Sequence, residues 1–323
     1  MNFSKKVLLV SMFYTATVPA MAASVDIYGR ADVSVQSSDD GDGRFTEIKS
    51  NASRLGFKGT HELSEGLEVV YKAEFEVDID GDGETFKTRN QYIGLRGFFG
   101  EVLLGKNDTM LKQSQGKVDI FSDYNGDIKH LWVGENRLSD TISYKSPKFK
   151  GLQFGLTYMA EDAVYSDEEK TIKAEDAYSM AVFYGDKNLK KSNIYAAVAF
   201  DSDVKGKSKD GAVSGHFETM RVTVSGKIAG VTLGLMLQNQ EEIATGAEMD
   251  GVMVSAKYSF DNITLKGQFQ AADHKVGDSR NGITAGIDYK LAKSTKLYVF
   301  YTSFDLDSAN DEDYLAAGIQ YKF

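Results

Sequence analysis

The sequence predicts an all-β chain: a 16-stranded antiparallel transmembrane β-barrel with a long third extracellular loop folded into its lumen. Three observations carry this. Apolar residues alternate with polar ones at a period of two over most of the chain, the runs are joined by alternately short and long connections, and no segment after the leader is apolar for long enough to cross a membrane as a helix.

The leader comes first. In residues 1–22, Lys5 and Lys6 precede the apolar run Val7 to Val18, and Ala20-Met21-Ala22 offers small residues for cleavage, the pattern of a secretory signal peptide. The mature barrel domain is then expected over residues 23–323, and losing Lys5 and Lys6 takes the net charge from −10 to −12. An acidic chain is a poor match for nucleic acid, which demands a basic face. The absence of cysteine excludes disulfide scaffolds, thiolate metal sites and cysteine nucleophiles. Beyond the leader, Pro147 is the only proline, fewer than linkers and helix-ending loops normally use.

The strand period is plainest at Val25, Ile27, Gly29, Ala31, Val33 and Val35, opposed to Asp26, Tyr28, Arg30, Asp32, Ser34 and Gln36. It returns from Leu67 to Val77 and from Leu315 to Phe323. Further runs follow at Arg54 to Thr60, Arg89 to Gly97, Glu101 to Lys106, Arg137 to Ser146, Leu152 to Ala160, Ala177 to Tyr184 and Asn193 to Phe200. The rest are His216 to Lys227, Val231 to Asn239, Val252 to Phe260, Ile263 to Ala272, Gly282 to Leu291 and Lys296 to Phe304. That makes sixteen strands; Gly94 and Gly97 disturb the parity of their run and mark a bulge or close packing.

Short connections such as Phe98 to Gly100 and Asp261-Asn262 alternate with polar ones at Asp39 to Glu47, Glu161 to Asp176, Asp201 to Gly215, Gln240 to Gly251, Asp273 to Asn281 and Asp305 to Asp313. Strands of about ten residues suit a tilted span of the bilayer, whereas soluble strands average about five or six. Tyr158, Tyr184, Phe200, Tyr258, Phe260, Tyr289, Tyr301, Tyr321 and Phe323 gather near strand ends, as an interfacial girdle requires. A β-sandwich would bury the oily faces; a barrel in lipid turns them outward. The polar faces then line a bore that sixteen strands make too wide for side chains to fill, so its content is water.

One connection stands apart. Residues 107–135 carry Met110, Leu111, Val118, Ile120, Phe121, Ile128, Leu131 and Trp132, an apolar content that calls for burial, and the available interior is the bore. Asp119, Asp123 and Asp127 fall at i, i+4 and i+8, one face if that stretch is helical, and three like charges there need cations opposite.

With these features the chain resembles the general diffusion porins of Gram-negative bacteria over essentially its whole mature length. The likeness is carried by Val25-Asp26-Ile27-Tyr28-Gly29-Arg30, by Ser53-Arg54-Leu55-Gly56-Phe57-Lys58-Gly59, by the Asn90 to Gly105 hairpin and by the terminal Tyr321-Lys322-Phe323. It implies an outer-membrane, homotrimeric, water-filled channel for passive diffusion of small hydrophilic solutes and ions. Lipids, lipopolysaccharide and the outer-membrane assembly machinery are its implied partners, with Tyr321 and Phe323 as the C-terminal assembly signal. It also implies a constriction with Arg30, Arg54, Arg89 and Lys145 on a basic wall and Asp119, Asp123 and Asp127 on an acidic loop, since Ser122-Asp123-Tyr124-Asn125-Gly126-Asp127 is similar to the family's acidic loop motif. It departs from that motif at Ser122, Asn125 and the short acid Asp123. Arg30, Arg54 and Lys145 lie on the wet side of their strands by parity alone.

No cofactor, metal or catalytic residue is expected. Asp78-x-Asp80-x-Asp82-Gly83 opens like a calcium loop but has Arg89 where a bidentate Glu belongs, and Ser38-x-Asp40-x-Asp42-Gly43 fails similarly at Lys49. The four histidines lack metal-ligand spacing. The alternatives are a substrate-specific channel, for which Tyr28, Tyr298 and Phe300 are the inward aromatics, and a barrel enzyme. The acidic total charge predicts a mild preference for cations.

Overall fold

The structure is a computed structural model that describes residues 24–81, 83–160, 176–208, 214–277, 279–307 and 310–323. The leader and most of the connection from Glu161 to Asp176 lie outside the described residues.

Seventeen strand segments form one sheet. They are β1 (Ser24–Asp39), β2 (Arg44–Ser50), β3 (Arg54–Ser64), β4 (Leu67–Val77), β5 (Phe86–Gly97), β6 (Gly100–Asp108), β7 (Arg137–Lys145), β8 (Leu152–Met159) and β9 (Ala177–Gly185). The sheet continues with β10 (Ile194–Lys207), β11 (Ser214–Ile228), β12 (Val231–Glu242), β13 (Ala247–Phe260), β14 (Ile263–His274), β15 (Ser279–Lys290), β16 (Thr295–Asp305) and β17 (Glu312–Lys322). Apart from β2 and β3, neighbours in sequence pair antiparallel, and β17 returns to β1 with Val33 opposite Ile319, so the sheet closes on itself. The upper half of β1 pairs with β2 and the lower half with β3. These two segments are one barrel position broken at Asn51–Ser53, which gives the expected sixteen-stranded barrel.

Sidedness is inverted relative to a soluble protein. On β1, Val35 is 56% exposed and its neighbour Gln36 is 0% exposed; Ile287, Leu315 and Ile319 likewise face outward. Lipid is the solvent for which that surface is fitted. Tyr184, Tyr258, Phe260, Tyr289, Tyr321 and Phe323 are exposed at the short-turn end of the wall, a girdle at one rim. The short turns are tight. Ala229 and Gly230 both have positive φ (49° and 84°), the geometry of a two-residue hairpin loop whose twist matches that of the strands. No described helix is long and apolar enough to span a membrane.

Two expectations are corrected. The polar connections on the other rim are shorter than the sequence suggests, because strands run on into them: only 40–43 separates β1 from β2, and only 243–246 separates β12 from β13. Above the lipid both faces of a strand meet water, so the alternation disappears while the hydrogen-bonded ladder continues. The parity break in β5 lies at Arg89 and Asn90, where the register with β4 slips between Ala73 and Phe75 and both side chains turn inward and are buried. Gly94 marks close packing instead: a Cβ there would lie 1.9 Å from the Val102 carbonyl.

Candidate pore constriction

The connection between β6 and β7 lies inside the barrel. It opens with a short helix, α1 (Met110–Ser114), capped by Thr109, whose hydroxyl accepts from the Lys112 N–H at 3.2 Å. Its apolar residues seat on the inner wall in three clusters. Met110 and Leu111 pack on Ala181, Phe183, Tyr195, Ala197 and Ala199. Val118, Ile128, Leu131 and Trp132 pack on Met236, Met249, Met253, Ala272 and Phe304. Phe121 and Tyr124 pack on Tyr298, Phe300 and Ala316. The bore therefore has a dry side from β9 round to β17, and strands such as β9, apolar on both faces, carry the signal for it in the sequence.

Glycine makes the fit possible. A Cβ on Gly251 would lie 2.6 Å from the Trp132 ring, and one on Gly155 2.5 Å from the Met110 sulfur. Polar contacts fix the depth: Trp132 Nε1 donates to the Ala271 carbonyl at 2.9 Å, and Gln268 and Gln270 both donate to the Gly126 carbonyl, at 2.8 and 3.0 Å.

At the tip Asp123 adopts a left-handed φ of 75° and reaches the opposite wall, where Arg30 Nη2 and Arg54 Nη2 meet its Oδ2 at 2.9 and 2.5 Å. The break between β2 and β3 holds these arginines. Ala52 has φ 49°, and the turn aims carbonyls into the bore: Arg30 donates to those of Asn51 and Ala52 at 2.8 and 2.9 Å, and Arg54 Nε to that of Ala52 at 3.1 Å. Burial alone would raise the Asp123 pKa, but Arg54, Arg30, Arg89 and Lys129 together hold it well below the usual carboxylate range. Arg89 is on the same wall and bonds Glu74 and Glu76, each at 2.8 Å, while Glu74 also accepts from the Tyr28 hydroxyl at 2.7 Å and pairs with Lys72 at 3.1 Å.

Not every residue expected at the neck is brought there. The loop tip is built from turns, and its acids do not share a helical face. Asp119 turns into the loop, its carboxylate accepting from the Phe121 and Ile128 N–H groups, both at 3.1 Å. Burial and then the neighbouring Asp127 push its pKa up. Asp127 accepts from the N–H groups of Asp123 and Lys129, both at 2.9 Å. These two acids shape the loop and are spent on its backbone. Lys145 stands apart as well, on β7 opposite Glu101 near the short-turn rim, donating to Gln113 of α1 with its ammonium over the Phe183 ring.

Residues that sequence reasoning passed over take part. Asp32, wholly buried behind the loop, accepts from the hydroxyls of Tyr124 (3.0 Å) and Tyr298 (2.7 Å) and from Gln320 Nε2 (2.6 Å), tying the tip to β1, β16 and β17. Its inward parity was readable; its three partners were not. Tyr298 and Phe300 face inward as expected, but the loop covers them, so they form no aromatic track for solutes. Among the described residues no cluster of three or more His, Asp or Glu could hold a metal ion. The first of the calcium-like loops is used otherwise, Asp80 accepting from the Ser50 N–H at 2.5 Å.

An oily perimeter, a polar bore and an inward loop held by its apolar side define a pore-forming protein of the outer membrane. The chain belongs to the Gram-negative porin family, whose sequence model matches residues 8–321. It is 26% identical to the major outer membrane protein P.IB of Neisseria meningitidis serogroup B / serotype 15 (strain H44/76), over 79% of this chain and 89% of that one. Its fold is similar to an anion-selective porin from Comamonas acidovorans (TM-score 0.77, 22% identity, 93% of this chain and 100% of that one). It is also similar to Salmonella typhi OmpF in complex with daunomycin (TM-score 0.72, 19% identity, 93% and 97%). The protein is a channel for passive diffusion across the outer membrane, and its family is one of channels, not enzymes.

Proposed function

We propose that Arg30, Arg54 and Arg89 on the wall and Asp123 on the loop form the neck of this channel, through which small hydrophilic solutes and ions pass without bond-making chemistry. The observation that carries the reading is the reach of Asp123 from a loop seated on the far wall to two arginines on β1 and β3. Asp119 and Asp127 serve the neck indirectly by setting the loop backbone, and Lys145 lines the vestibule on the short-turn side.

The charge preference falls on anions, against the expectation from total charge. Asp123 is shared between Arg30 and Arg54, and Asp288 between Lys266 and Lys296 at 2.9 Å each, while Glu74 lies between Lys72 and Arg89, and Arg89 also bonds Glu76. At the Asp123 and Asp288 sites two bases thus face one shared carboxylate, while acids such as Asp250 and Asp313 sit at the outer rim, where salt screens them. An anion-selective relative in fold is consistent with this.

The working unit is a homotrimer in outer-membrane lipid and lipopolysaccharide, with Tyr321 and Phe323 as its assembly signal. Purified protein in a planar bilayer should give stepwise ohmic currents in groups of three, with a reversal potential set by the anion. Block by a single sugar class would instead identify a substrate-specific channel, and absence of conductance would remove both readings.

A further inference from the structure

The neck carries a charge that its acidic motif conceals. Ile128–His130 is a single 3₁₀ turn capped by the Asp127 side chain. Ile128 and His130 are both buried, Ile128 among the residues that seat the loop and His130 stacked on Phe304 with ring centroids 3.9 Å apart. With its two neighbours drawn to the wall, Lys129 is left for the open side. Its side chain is 43% exposed, against 14% for Arg30, 18% for Arg54, 10% for Arg89 and 19% for Asp123. It is the most water-exposed of these five neck charges.

Every acid that faces Lys129 is already engaged. Asp127, at 3.6 Å, is bonded to two backbone N–H groups; Asp123 is held by two arginines; Glu76 across the bore on β4 is bonded to Arg89; and Asp119 is folded into the loop. None can follow Lys129 into the water. Asp127, against burial, raises the Lys129 pKa, so the ammonium remains charged at any working pH.

We propose that Lys129 is the selectivity-determining residue of the neck: the loop presents a cation, not an acid, to passing ions. The wall arginines are held by carboxylates and carbonyls at hydrogen-bond distance, whereas the Lys129 ammonium stands 3.6 Å from Asp127, at ion-pair range, and keeps an exposed side toward an anion in transit. With bases on both sides, the field across the neck favours anions over its whole width and not along one wall. The inference rests on the porin reading of the neck and deepens it.

The test is the chloride-to-potassium permeability ratio of the full-length mature protein, read from reversal potentials in KCl gradients. Lys129→Gln should lower the ratio at least about twofold at ~0.1 M salt, where the screening length is about 10 Å, and the effect should fade near 1 M. Lys129→Glu should lower it further, and Lys129→Arg should restore it. Asp127→Asn separates charge from position: a Lys129 that only steadied the loop through Asp127 would make this variant behave like Lys129→Gln, whereas the proposal requires the ratio to hold or rise. Heat-modifiable migration on denaturing gels establishes that each variant folds, and Lys129→Gln carries the test if Lys129→Glu does not. An anion-preferring parent whose ratio is indifferent to Lys129→Gln would overturn the proposal and leave the neck intact. A parent that prefers cations would overturn the charge reading of the neck itself.

Discussion

Asp123 is the residue on which the geometry of the proposed neck turns. Its carboxyl is held low by the arginines, so the stabilisation from its ion pairs is complete above the unfolded value of about 3.9 and is lost only as pH falls through the lower folded value. The difference in single-channel step size between the protein and Asp123→Asn should therefore hold from about pH 7 down to about pH 4 and narrow only in stronger acid; a difference that shrinks between pH 6 and 5 would contradict the pairing. Replacing Asp123 with Asn leaves Arg30 and Arg54 without their shared counter-charge. Reversal potentials should then move further toward the anion, and the tip, retained by Tyr124 on Asp32, should stay in place. Arg54→Gln should act in the opposite sense.

Among elements, the loop between β6 and β7 carries the strongest prediction. Trp132 is wholly buried and seated over Gly251. Trp132→Ala removes a large buried ring, at a cost of about 3–5 kcal/mol where the site cannot collapse. Because the loop is an insert and not a staple of the barrel ladder, that cost should appear as a loosened loop, with larger and noisier current steps while the barrel still resists detergent. Gly251→Ala attacks the same seat from the wall, placing a methyl where the indole lies. Unchanged conductance in both variants would mean that the loop's position does not set the neck. Sequence reasoning could see that this connection had to be buried, because its apolar content left no alternative. It could not see that Asp119 and Asp127 would be spent on the loop's own N–H groups. A spacing of four suggests a shared helical face, but turns around Phe121 to Gly126 send successive acids in different directions. Lys129 escaped notice for the same reason, since its exposure depends on where Ile128 and His130 point.

For the whole molecule, closure is the decisive event. The pairing of β1 with β17 removes the last open edge, which in lipid would strand backbone polar groups without partners. Gly29 and Phe323 exchange backbone hydrogen bonds at 3.0 and 3.2 Å, so the final residue takes part in that seam. Deleting Phe323 should slow the appearance of the heat-modifiable folded band more than it lowers the conductance of channels that do form.

The pattern of residues alone determined the barrel, its strand number and its inverted faces: a period of two assigns each residue a side whatever lies at a distance, and the strand lengths, alternating connections and aromatics at strand ends turn the oily side toward lipid. It also placed Arg30 and Arg54 in the bore. Only the tertiary structure decided which charges meet there. The turn at Ala52 and the left-handed Asp123 bring Arg30, Arg54 and Asp123 together across more than ninety residues of chain. The seating of the loop leaves Lys129 in water, and the bulge at Arg89 turns that side chain inward against its parity. Contacts of that kind depend on distances between elements, and a one-dimensional pattern does not contain them.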